Sequence, residues 1–127
     1  MTPWLARVRH DMLKPALWPA RDLRELLNAK KVPAAADVKA LHAGLFALRD
    51  DDGTACDARL LWAKCLQSKP AHLDAGTLDS FGAGLDSAMN VVGHAAAGPA
   101  SPRVLEEAIE AVLALEGLFN TLAASKE

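Results

Sequence analysis

"SPRVLEEAIEAVLALEGLFNTL", residues 101–122, carries the fold of this chain in its spacing. Leu105, Ile109, Val112, Leu115, Phe119 and Leu122 recur at intervals of three and four, the period that stacks side chains on one face of an α-helix. Ser101 has the short hydroxyl side chain of an N-cap. Pro102 suits the first helical position, where an N–H has no partner to lose. Glu106 and Glu107 lie toward the end at which the helix dipole favours negative charge. An apolar stripe this long has to be covered by other helices of the same kind, and the rest of the chain supplies them.

Working back, residues 74–96 repeat the pattern with Leu78, Phe81, Leu85, Met89 and Val92. Gly93 and His94 mark the end of that helix, and "GPASP" turns the chain into the last one. Gly82 and Gly84 interrupt the stripe, each costing about 1 kcal/mol relative to Ala in a helix. They imply close approach of another helix or, alternatively, a ligand pocket beside them. Further upstream, Thr54 and Asp57 resemble a capping box that opens a helix running to about Ser68, with Pro70 just beyond. Asp37 caps a helix to about Arg49, with Val38, Leu41, Leu45 and Leu48 inward, and "DDDG" stops it. Residues 3–14 form a helix with Leu5, Val8 and Met12 on one face. A further segment from 20 to 30 buries Leu23, Leu26 and Leu27. Pro15 and Pro19 between them remove two donors and clash with the preceding turn, which predicts a kink or break over 15–19. "KKVPAAAD" is a short connection. Nothing shows the period of two that a strand needs.

The expectation is a single all-α domain over residues 1–127. It is a compact bundle of five to six helices, the first kinked or broken at Pro15–Pro19. The 127 residues suit one core, and 51% hydrophobic with 24% charged residues is a globular composition. No apolar run approaches the ~18 residues of a membrane span, and no signal-peptide pattern opens the chain. A cytoplasmic protein is therefore expected, with no membrane partner. Cys56 and Cys65 are placed on one helix, roughly 13 Å apart along its axis by the helical rise, which excludes a disulfide and fits a reducing compartment.

The net charge of −2 hides a split. Residues 1–49 carry nine Lys or Arg against four acids, and residues 50–127 carry five against twelve. Such a division means either an internal electrostatic match or a basic face aimed at a partner. Arg7, Lys14 and Arg21 are spaced by seven, Arg24 and Lys31 continue the series, and Trp4 and Trp18 lie in the same segment. Trp and Arg dominate binding hot spots. Trp4, Arg7, Lys14, Trp18, Arg21 and Arg24 are thus the candidate binding residues for an acidic protein partner. Nucleic acid is not expected, because the total charge is negative and too few aromatics exist for a stacking platform.

Catalytic and metal chemistry find little to stand on. The chain has no H-x-x-x-H, E-x-x-H or C-x-x-C pair, and "DDDGTACDARLL" misplaces the glycine of a calcium loop and lacks its closing Glu. No cofactor and no catalytic residue are assigned. Cys56, placed in the first turn of a helix, has a dipole that lowers a thiol pKa. "HDMLKP", residues 10–15, resembles the H-box of sensor histidine kinases: histidine, acid, three residues, proline. The resemblance implies phosphorylation at His10, with Asp11 assisting proton transfer and Pro15 kinking the helix. No glycine-rich nucleotide motif follows. Lys14 stands four residues after His10, where the similar phosphotransfer domains have a lysine three after. Three readings follow: a non-enzymatic adaptor or regulatory protein, a phosphotransfer bundle using His10, and a small-molecule binder with a pocket beside Gly82 and Gly84.

Overall fold

The Thr2 hydroxyl accepts the Leu5 N–H at 3.2 Å and starts the first helix. In the computed structural model, which describes residues 2–98 and 101–124, this helix runs in three joined pieces. They are α1 (Pro3–Val8), a π-helical turn over Arg9–Leu13, and α2 (Lys14–Asn28). The irregularity that the prolines demand is present, but it sits ahead of them and the chain does not break over 15–19. The Lys14 N–H bonds the Arg9 carbonyl five residues back. That wider turn loosens the ladder just before Pro15, whose ring would otherwise meet the carbonyl of Asp11. Helix then continues through Pro19, and Ala16, Leu17, Ala20 and Leu23 are buried along it. The expected second segment from residue 20 is thus the continuation of a helix that begins at Lys14.

Pro19 has a further consequence. With no N–H of its own, it cannot occupy the Pro15 carbonyl four residues back. Gly44, on α3 (Ala35–Phe46), packs at that spot. A methyl on Gly44 would overlap the Pro15 oxygen and stand 2.6 Å from Ala16 Cα. The missing Cβ therefore lets α2 and α3 touch backbone to backbone. Helix α2 ends in a Schellman motif, with Lys30 N–H to Leu27 O at 3.0 Å and Lys31 N–H to Leu26 O at 2.9 Å. Lys30 holds the left-handed position (φ 57°) that glycine usually takes.

Several boundaries differ from the sequence reading. Helix α3 starts earlier, and Asp37 serves at its third position, its carboxylate accepting the Ala34 N–H at 2.8 Å. It also ends at Phe46. Leu48–Arg49 (β1) and Ala55–Cys56 (β2) then pair antiparallel, Leu48 opposite Cys56 and Arg49 opposite Ala55. Sequence periodicity cannot signal strands of two residues each. Asp57, not Thr54, caps the next helix, accepting the Leu60 N–H at 2.8 Å, and α4 covers Ala58–Leu66. Cys56 is therefore on a strand, so the expected separation of the two cysteines along one helix does not apply. Both are free thiols.

Asp74 caps α5 (Ala75–Ala96), and Ser101 caps α6 (Pro102–Ala123) as the sequence predicts. The two form the most extensive helix pair, with α2 laid against α3 and α6, and α3 also against α5. All six residues of the opening stripe are buried. The "GPASP" turn and the C-terminal end, where fraying is expected, lie partly outside the described residues. A line of aromatic rings ties the pieces together. Trp4 meets Trp62 at 5.9 Å between centroids, Trp62 meets Phe81 at 4.8 Å, and Phe81 meets Phe119 at 6.4 Å. These tilted contacts join α1, α4, α5 and α6 through one core.

Candidate functional site

The six candidate binding residues do not form one free surface. Trp4 is half-buried in the aromatic line, and its indole N–H donates to the Cys65 carbonyl at 2.9 Å. It is a strut between α1 and α4. The three arginines are each engaged by the acidic second half of the same chain. Arg7 pairs with Asp51, Arg21 with Glu116 at 2.6 Å, and Arg24 with Glu110. Asp51 holds the Arg7 guanidinium above its ordinary pKa, chiefly through their hydrogen bond. Of the two readings of the charge split, the internal match accounts for these arginines. An arginine strip left open for an acidic partner is not present.

Trp18 and Lys14 remain. Trp18 is 56% exposed, on the outer ridge of α2. The Arg21 guanidinium carbon lies 5.2 Å from its ring centroid, so a cation–π contact steadies the indole from one side while Glu116 pairs with the same guanidinium. Lys14, one turn earlier, enters no ion pair among the described residues. One turn earlier again, His10 is exposed with its Nδ1 2.9 Å from Asp11 Oδ1. The ridge His10–Lys14–Trp18 therefore carries an ammonium and an indole one turn apart, and it is helical throughout.

The other candidates resolve into structure. Gly82 faces Trp62 and Arg59, where an added methyl would stand 3.0 Å from the indole nitrogen. Gly84 faces Leu118 and Leu115, with Leu118 Cδ1 at 2.5 Å from the same hypothetical atom. Both glycines serve close packing, and these side chains fill the space that the alternative, a ligand pocket, would need. Burial pushes the Cys56 and Cys65 thiols up, away from the thiolate. The helix dipole does not reach Cys56 as expected, because it lies outside α4 and its own desolvation dominates. Among the described residues, no three His, Cys, Asp or Glu side chains converge where a metal could sit.

"DDDG" forms the hairpin turn. The Asp50 carboxylate accepts the backbone N–H groups of Asp52 (3.0 Å) and Thr54 (2.9 Å) and pairs with Lys64. Gly53 sits at φ 77° to close the turn. The Lys64 hydrogen bond, ahead of the backbone ones, holds Asp50 below the usual carboxylate range. No helix among the described residues is long and apolar enough to cross a membrane. No family model, curated protein or solved structure matches this chain.

Proposed function

We propose that this protein is a binding module of adaptor or regulatory type, without chemistry of its own, that docks an acidic partner protein through the N-terminal rod, with Trp18 as anchor. The observation that carries this reading is the exposed indole. A side chain of that size in water forgoes burial that a partner's apolar slot supplies. Arg21 limits the motion of the indole, which lowers the entropy cost of docking. Lys14, without an ion pair among the described residues, gives the same ridge its preference for a carboxylate-bearing surface.

The test places a photo-crosslinking phenylalanine analogue at position 18 and, as control, at Leu60, which is 51% exposed on α4. Crosslinking from 18 alone, abolished in a Lys14→Glu background and weakened by salt, is the expected result. Equal capture from both positions rejects the ridge. Because Trp18 is exposed, Trp18→Ala is expected to leave the thermal midpoint nearly unchanged, so a loss of binding reports on the surface itself.

One observation favours a second reading. The His10 ring is 75% exposed and Asp11 engages its Nδ1, which leaves Nε2 facing outward on the ridge. That is an arrangement in which a histidine accepts a phosphoryl group, Asp11 orienting the ring. Incubation with phosphoramidate is expected to give acid-labile phosphate that His10→Gln abolishes. Equal labelling of the variant removes the idea.

A further inference from the structure

A groove of about 500 Å³ opens at the end of the bundle where α2 and α3 meet the end of α5 and the start of α6. Its floor is apolar: Leu27 from α2, Val38 from α3, Ala95 from α5 and Leu105 from α6. Lys31 and Lys39 stand at its rim. The volume falls within the range of small-molecule sites, and the lining has the usual composition of an apolar cleft with few polar groups.

Its two cations differ from the three paired arginines of the N-terminal rod. Arg7, Arg21 and Arg24 are each neutralised by an acid of the same chain. Lys31 and Lys39 enter no ion pair among the described residues, and no acid lines the groove. Asp37, the carboxylate nearest along the chain, is turned to the Ala34 N–H. The first turn of α3, at Ala34 and Ala35, also borders the groove, its positive end already met by the Asp37 carboxylate. Val32, 93% exposed, lines the same groove, an aliphatic side chain held in water.

We infer that this groove binds a free single-chain aliphatic carboxylate, its tail along the Leu27–Val38–Leu105 floor and its head between Lys31 and Lys39. A neutral apolar ligand would leave the two ammonium groups without a counterpart, and a compact anion would leave the floor wet. One linear amphiphile satisfies both. The site is remote from the Trp18 ridge in the sequence of α2 and stands or falls independently of it.

The test is a titration of the methyl-labelled full chain with decanoate and dodecanoate below their micelle concentrations, followed by NMR. Saturable one-to-one shifts at Leu27, Val38, Ala95 and Leu105 are expected. The two extra methylenes should tighten binding roughly tenfold. The double variant K31E/K39E should bind at least tenfold more weakly. Val32→Glu, at an exposed position that cannot unsettle the fold, should weaken binding in the same direction. The inference is overturned if dodecyltrimethylammonium binds as tightly as dodecanoate. It is equally overturned if the shifts spread over the molecule without saturating, or if the chain binds phosphatidylglycerol vesicles but not the free acid.

Discussion

Two single residues show how this fold uses backbone geometry that a composition cannot reveal. Lys30 occupies a left-handed position, where a Cβ is crowded by its own peptide group. Lys30→Gly is expected to stabilise the protein by about 0.5–1 kcal/mol, after allowing for the greater freedom of glycine in the unfolded chain. A urea midpoint shifted upward with an unchanged slope checks it. Gly44 and Gly117 make a controlled pair. The space beside Gly44 is filled by the backbone of Pro15 and Ala16, which cannot swing aside, whereas nothing lies within 4 Å of a methyl at Gly117. Gly44→Ala should destabilise by about 1–3 kcal/mol through overpacking. Gly117→Ala should stabilise by up to about 1 kcal/mol through helix propensity. Equal and favourable effects at both sites would mean that α2 and α3 are not in backbone contact. The sequence reading singled out Gly82 and Gly84, correctly as packing residues, but passed over Gly44. Its partner is the carbonyl that Pro19 leaves open, and that relation exists only once two distant segments are side by side.

At the scale of elements, the long stripes were legible because each runs for several turns with an apolar residue on every one. Ser101 marked the start of α6 where it occurs, while the cap of α5, Asp74, was not singled out. The hairpin was not legible, since its strands are too short for a pattern and rest on one carboxylate. Asp50 gathers two backbone N–H groups and the Lys64 ammonium, which holds it below its ordinary pKa. A carboxyl depressed in the folded state adds stability that is complete above its unfolded value of about 3.9 and disappears as pH falls through the depressed one. The hairpin is therefore expected to open on acidification before the helices do. Amide protection at Asp52 and Thr54 should fall below about pH 4, while that of α5 and α6 persists. Asp50→Asn should show low protection at Thr54 already at neutral pH. The prolines teach a related lesson. The rule that Pro disrupts the preceding turn held, but the disruption took the form of a π turn over Arg9–Leu13. Helix continues directly on both sides of that turn, so a break did not follow.

For the whole molecule, the charge split was visible in the sequence and its use was not. Arg7 and Asp51, Arg21 and Glu116, and Arg24 and Glu110 are 44, 95 and 86 residues apart, so only the folded topology decides that they meet. These bridges lie at the surface, where pairs contribute about 0–1 kcal/mol and less in salt. Cohesion comes instead from the shared core, with the aromatic line at its centre. Trp62, buried between Trp4 and Phe81, should cost about 3–5 kcal/mol when cut to Ala. The charge-reversed double variant R24E/E110R, by contrast, should unfold within about 1 kcal/mol of the natural chain, either single reversal being somewhat worse. Measuring the cycle at low and high salt separates the two roles. If coupling exceeds about 2 kcal/mol and survives high salt, the pair is a structural lock. If it is small and screened, the arginines serve mainly to cancel charge along the α2–α6 seam. In that case an anionic partner or ligand meets the first half's positive charge where no bridge among the described residues cancels it, Lys14 on the ridge and Lys31 and Lys39 on the groove being among those places.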